Sequence, residues 1–214
     1  MITSVLRYLF FAVLVRPLLL LIVGINVRRL KSLPQQGPAV IVANHNSHLD
    51  ALALISLFPL RLLPQLRPLA ASDYFLRNRW QTWIALHIIG IIPIERQARG
   101  MHQDRLAGVG TALEAGNIVI IFPEGSRGEP EQLSQFKSGV AHLARRYPTV
   151  PFYPLFIHGL GKTLPKGEAL LVPFFCDIFV GEPLYWNGDK LEFMAELSQR
   201  MNNLAAEGQF SPWQ

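Results

Sequence analysis

With 214 residues and one cysteine, Cys176, the chain has room for one sizeable domain and a short appendage, and it excludes an internal disulfide. Half of its residues are hydrophobic, only 16% are charged and the mean hydropathy is +0.24, a balance too polar for a polytopic membrane protein and apolar for a soluble domain. The net charge of +5 asks for an anionic partner; with no dense Lys/Arg block and no zinc-finger or RNA-binding signature, a membrane surface or phosphorylated lipid ranks ahead of nucleic acid.

Residues 5–25 are nearly all apolar, interrupted by Arg7, Arg16 and Pro17, and no Ala-x-Ala cleavage site comes after them. A helix lying in one leaflet, its arginines reaching up to headgroups, is favoured over a straight span, and a buried domain helix ranks third. If the segment spans, Arg28, Arg29 and Lys31 place the succeeding domain in the cytoplasm. The predicted division is a membrane anchor over 1–33 and an α/β domain over 34–214, joined by the turn-rich stretch 34–38.

In that domain the pattern predicts a strand over 40–43, a helix over 51–58 and a short strand over 69–71. The aromatic and basic stretch 74–83, with Arg79, Trp80 and Trp83, reads equally as an interfacial belt or as an amphipathic helix burying both tryptophans. Next come a strand over 88–94, a helix over 105–115 capped by Gly116 and a strand over 117–122. A helix over 137–147, strands over 151–157, 169–173 and 178–180, a helix over 190–207 and a loosely held end over 208–214 complete the chain. Strands alternating with helices define the fold class: α/β, a mostly parallel, partly mixed central sheet flanked by helices. Cys176 lies in an apolar stretch and reads as packed core.

Two polar clusters stand at the ends of predicted strands. Asn44-His45-Asn46-Ser47-His48-Leu49-Asp50 succeeds one apolar run, and Phe122-Pro123-Glu124-Gly125-Ser126-Arg127 succeeds another. An open α/β sheet carries its active site at such strand ends. Ser47 and Asp50 read as a capping box opening the 51–58 helix. His45 then sits in the loop before the cap, a candidate base that Asp50 can reach back to orient. His48 gives the cluster a metal-like look, but no further ligands have supporting spacing and no metal is expected. There is no Gly-x-Ser-x-Gly elbow, and Cys176 has no basic partner in sequence, which argues against a serine or cysteine nucleophile.

These clusters resemble the glycerolipid acyltransferase family, and within it the bacterial 1-acylglycerol-3-phosphate acyltransferases, known for Asn-His-x-x-x-x-Asp and Phe-Pro-Glu-Gly-Thr/Ser-Arg. Gly90-Ile-Ile-Pro-Ile-Glu-Arg96 is similar to the second family block and Val150-Pro-Phe-Tyr-Pro154 to the fourth, so four blocks occur in order over 37–160. The resemblance implies an O-acyltransferase in phospholipid biosynthesis: His45 deprotonates the sn-2 hydroxyl of lysophosphatidic acid, which takes an acyl group from acyl-CoA or acyl-carrier protein. Asp50 orients His45. Another lysolipid or glycerol-3-phosphate as acceptor, or a lipid-binding protein without catalysis, are the alternatives.

The family's acceptor-binding blocks contain Arg96 and Glu124 to Arg127. Guanidinium forks suit phosphate oxygens, although Glu95 and Glu129 offer each arginine a surface ion pair instead. Lys137 is a third candidate cation. Glu124 either accepts a hydrogen bond from an acceptor hydroxyl or holds Arg127, and the turn at Gly125 can present N–H groups to an anion. The fourth block implies acyl-chain or donor contacts. Implied partners are membrane lipids, a lysophospholipid and the acyl donor; no cofactor or nucleic acid is implied. The implied location is the cytoplasmic face of a bacterial inner membrane.

Overall fold

The computed structural model describes residues 2–75, 78–95, 106–126, 133–163 and 175–210. Apolar runs without polar alternation belong to strands covered on both faces. Two of them, β2 (Ala39–Ala43) and β5 (Ile118–Ile121), lie side by side at the centre of the sheet. Around them are β1 (Ile25–Arg28), β3 (Leu66–Ala71), β4 (Ile92–Ile94), β6 (Phe152–His158) and β7 (Cys176–Val180), in the order β1-β7-β6-β2-β5-β3-β4. Every neighbouring pair is parallel except β6 and β7. The strand period sorts the core into two layers. Ala39, Ile41 and Ala43 pack on one side, and Val40 and Val42 on the other.

The first layer is closed by a continuous N-terminal helix and by α3 (Leu49–Leu57). The N-terminal helix runs as α1 (Ile2–Leu9), π-helical turns over Phe10–Val15, α2 (Arg16–Leu18) and further π-helical turns over Leu19–Val23. It ends at Gly24, which takes the left-handed conformation (φ 59°) that terminates helices. The second layer is closed by α6 (Ala107–Glu114), α7 (Gly139–Arg146) and α9 (Lys190–Glu207). Shorter helices α4 (Ser72–Phe75), α5 (Arg79–Trp83) and α8 (Leu160–Thr163) lie on the connections. Cys176 is fully buried.

The N-terminal helix buries a narrow stripe at Phe11, Val15, Leu19 and Val23, spaced one per turn, and leaves Val13, Leu14, Leu20 and Leu21 exposed. Arg7 departs from its expected role of reaching up to headgroups. It is buried and donates to the carbonyl oxygens of Leu66 at 2.8 Å and Ile89 at 3.0 Å. Arg16 likewise donates to the Phe58 carbonyl. Both arginines donate to backbone carbonyls at element ends.

Three further details differ from the sequence-based expectation, and one open alternative is resolved. Residues 88–94 are not one strand: π-helical turns occupy Ile84–Ile89, Gly90 turns the chain (φ 78°) and only Ile92–Ile94 is extended. An apolar run of this length does not by itself distinguish a helix end from a strand start. Ile25–Arg28, expected as the tail of the apolar segment, pairs in parallel with β7. Residues 208–210 are held rather than loose, with Phe210 stacked on His158 at 3.5 Å between ring centroids. Trp80 and Trp83 are exposed, so the burial alternative for them is not realised. The strand predicted over 169–173 lies outside the described residues.

Candidate active site

Because β2 and β5 are parallel and in register, with Val42 opposite Ile121, their C-terminal ends open on the same sheet edge. His45 and Glu124 each lie three residues past that matched pair, and they meet: the backbone N–H of His45 donates to Glu124 Oε2 at 3.3 Å. The two clusters separated by 79 positions in sequence are one site.

The loop after β2 is fixed by two asparagines. Asn44 side-chain Nδ2 donates to the Ile157 carbonyl at 2.8 Å and its Oδ1 accepts the Ile157 N–H at 2.7 Å, replacing a backbone rung where β2 leaves β6. Asn46 Nδ2 donates to the same carbonyl at 3.1 Å. Both side chains are buried. Neither was assigned a role from sequence; an asparagine directly after an apolar strand was the available signal.

His45 Nδ1 lies 2.9 Å from Asp50 Oδ2, and the same oxygen accepts the backbone N–H of Asn46 at 2.7 Å and of Ser47 at 2.8 Å. The arm of the expected capping box from the Ser47 N–H to the Asp50 carboxylate is present. The Asp50 carboxylate takes the Ser47 N–H, while Ser47 Oγ accepts from Leu49 N at 3.3 Å and the Asp50 N–H goes to the Ser47 carbonyl. Asp50 is fully buried, and burial pushes its carboxyl above the ordinary carboxylate range; the bonds from His45, Ser47 and Asn46 pull the other way and favour the ionised form. With Asp50 ionised, Nδ1 carries the proton and Nε2 keeps its lone pair. The imidazole stacks on Phe122 (4.2 Å between centroids, 21° between planes), and about a fifth of its side chain, 21%, is exposed. A ring so held, one face against an aromatic ring and one nitrogen on a buried carboxylate, keeps a single orientation.

Glu124 is buried, and its carboxylate bridges two loops: Oε2 takes the His45 N–H and Oε1 the Ser134 N–H, each at 3.3 Å. Burial raises its carboxyl above the ordinary value, opposed by those two bonds. Gly125 has φ 74°, and a Cβ there would run into Lys137 Nζ. The Lys137 ammonium thus lies against the Gly125 backbone, and the Lys137 N–H donates to the Pro123 carbonyl at 2.9 Å. The structure brings His45, Asp50, Glu124, Gly125 and Lys137 together. Arg96 and Arg127 lie outside the described residues. Among the described residues no group of three or more His, Cys, Asp or Glu side chains is placed to hold a metal.

A buried carboxylate, an imidazole held by it and a loop presenting a cation lie together at one edge of a mostly parallel sheet. Residues 24–158 match the Acyltransferase family model, and the chain belongs to that family. It is similar to the 1-acyl-sn-glycerol-3-phosphate acyltransferase of Pseudomonas aeruginosa, 29% identical over 85% of this chain and 67% of the relative. It is also similar to the chloroplastic 1-acyl-sn-glycerol-3-phosphate acyltransferase LPAT1 of Arabidopsis thaliana (29% identical, 75% of this chain, 44% of the relative) and to taffazin of Dictyostelium discoideum (31% identical, 69% of this chain, 55% of the relative). The chain spans about half the length of the plant relatives it matches. The crystal structure of the 1-acyl-sn-glycerophosphate (LPA) acyltransferase PlsC from Thermotoga maritima shares the fold, with a TM-score of 0.75 over 99% of this chain and 81% of that one at 19% identity.

Proposed function

We propose that this protein transfers an acyl group from a thioester, acyl-CoA or acyl-carrier protein, to the sn-2 hydroxyl of lysophosphatidic acid, giving phosphatidic acid. The observation that carries this reading is the His45–Asp50 pair, 2.9 Å apart, on the edge where Glu124 and Lys137 also converge. His45 Nε2 takes the hydroxyl proton as the oxygen attacks the thioester carbonyl; collapse of the tetrahedral intermediate expels the thiolate, which takes up a proton, from the imidazolium or from water. Asp50 stabilises the imidazolium in between. No covalent acyl-enzyme is required. Arg96 and Arg127 hold the acceptor phosphate with Lys137, and Glu124 fixes the base loop. The names of the plant and bacterial relatives support the acceptor.

The exposed apolar face of the N-terminal helix supports a helix lying in one leaflet. The location we propose for the domain is the cytoplasmic face of a bacterial inner membrane, a reading to which the bacterial relative lends support. Ile2–Leu21 is also long and apolar enough to cross a bilayer. A second reading, acylation of a different lysolipid by the same His45 and Asp50, is favoured by the similarity to taffazin, which is not named for lysophosphatidic acid. Mass-spectrometric identification of the product from a panel of lysolipids and glycerol-3-phosphate decides between them. Phosphatidic acid from lysophosphatidic acid alone is the expected result, and product only from a headgroup-bearing lysolipid would replace the acceptor.

A further inference from the structure

The helical segment from Arg79 to Ile89 takes no part in the chemistry above, and its surface is unusual. Trp80 is 79% exposed, Trp83 36% and Ile84 42%, three large apolar side chains within five residues. No acidic residue occurs between Asn78 and Ile89, and Arg79 at its start is exposed. The segment is rigidly built. Asn78 Oδ1 caps it by accepting the Gln81 N–H at 2.8 Å, His87 stacks on Trp83 at 5.4 Å, and Gly90 ends it. An indole held outward by an ordered, capped helix is a built surface feature rather than a frayed one.

The segment is also fastened to the N-terminal helix. Ile84–Ile89 packs along α1, Arg7 of α1 donates to the Ile89 carbonyl at 3.0 Å, and a Cβ on Gly90 would meet Arg7 Nη1 at 2.6 Å. The two elements are packed against each other, and α1 exposes Ile2, Val5, Leu6 and Leu9. We infer that Arg79, Trp80, Trp83 and Ile84 form a second membrane contact, continuous with the N-terminal helix, that docks into the headgroup region of a phospholipid bilayer. Tryptophan and arginine side by side suit that region, where the ring is half in hydrocarbon and the N–H and guanidinium meet water and phosphate. The contact also ties the bilayer to β4, which starts two residues after Gly90 and leads directly to Arg96. The inference rests on the reading that the N-terminal helix lies in the membrane.

The test uses the full chain with vesicles of phosphatidylcholine and phosphatidylglycerol carrying brominated acyl chains. Tryptophan emission of the wild type is expected to be quenched, and most of that quenching is expected to vanish in Trp80→Phe/Trp83→Phe while the variant still sediments with vesicles. Trp80→Ala/Trp83→Ala is expected to weaken vesicle affinity roughly tenfold. Far-ultraviolet circular dichroism verifies that each variant is folded. Equal quenching in wild type and the Phe variant, with both sedimenting, would overturn the aromatic contact and leave the N-terminal helix in the membrane. A wild type that fails to sediment would overturn the membrane reading and the inference together.

Discussion

The His45 imidazole and the Asp50 carboxylate are joined at 2.9 Å through an oxygen that also receives two backbone N–H groups, from Asn46 and Ser47. Three donors on one buried oxygen fix the carboxylate, and the carboxylate in turn fixes the imidazole. Replacing it separates orientation from charge. In Asp50→Asn the amide keeps the size but can present its NH2 to His45, selecting the wrong tautomer. A loss in kcat of roughly 10³ to 10⁴-fold with nearly unchanged KM for the acceptor is expected. Steady-state kinetics measure it, and a loss confined to KM would remove Asp50 from its orienting role.

Glu124 holds the same loop through the His45 backbone. Its two bonds join the His45 loop to the Ser134 segment. Glu124→Ala removes the acceptor from the N–H of half-buried His45 and of exposed Ser134, and is expected to lower stability by about 1 kcal/mol. Glu124→Gln keeps an acceptor oxygen and is expected to fall between that variant and the wild type. Denaturant unfolding gives the order. An alanine variant as stable as the wild type would mean that the bridge contributes nothing.

The pH dependence of stability has a defined sign. Burial raises the Asp50 carboxyl from 3.8 and the Glu124 carboxyl from 4.5. The folded state therefore holds those protons more tightly than the unfolded chain. The resulting stabilisation is fully present below the ordinary values and is lost as pH rises through the raised ones. Asp50→Asn and Glu124→Gln abolish the titration. The melting-temperature difference, wild type minus variant, is expected to shrink as pH climbs above the ordinary carboxylate values. A difference that grows over that window would reverse the assigned shifts.

Gly125 cannot carry a side chain without displacing Lys137. Its φ of 74° is left-handed, and the added Cβ would occupy the ammonium's place. Gly125→Ala is expected to cost on the order of 1–2 kcal/mol from the backbone alone. It is also expected to raise KM for a phosphate-bearing acceptor more than it lowers kcat, because the cation is moved while His45 is not. Lys137→Ala should reproduce the KM effect with little loss of stability. A KM unchanged in both variants would exclude Lys137 from acceptor binding.

How far the sequence was legible depends on the range over which each signal acts. Strands β2 and β5 announced themselves as uninterrupted apolar runs, and α9 was readable over 190–207; its cap, Asp189 Oδ1 accepting the Leu191 and Glu192 N–H groups, is added by the structure. Asp50 reaching back to His45 is a local relation over five positions and was readable. The partners of Glu124 were not: one of them, His45, is 79 positions away, and only the register of β2 on β5 brings them together. Arg7 was misread for the same reason. Within its own segment it interrupts an apolar helix, and nothing local shows that Ile89, 82 positions on, supplies the carbonyl it binds. Trp80 and Trp83 stayed ambiguous because aromatic spacing is the same on a buried face and on an exposed one.

The most direct test of the central claim is thiol release by the full chain from palmitoyl-CoA and from acyl-carrier protein, with lysophosphatidic acid as acceptor, for wild type and His45→Ala. Acceptor-dependent release by the wild type, lost in a His45→Ala protein that remains folded, is the expected result. Release that survives His45→Ala undiminished would contradict the assignment of His45 as the base.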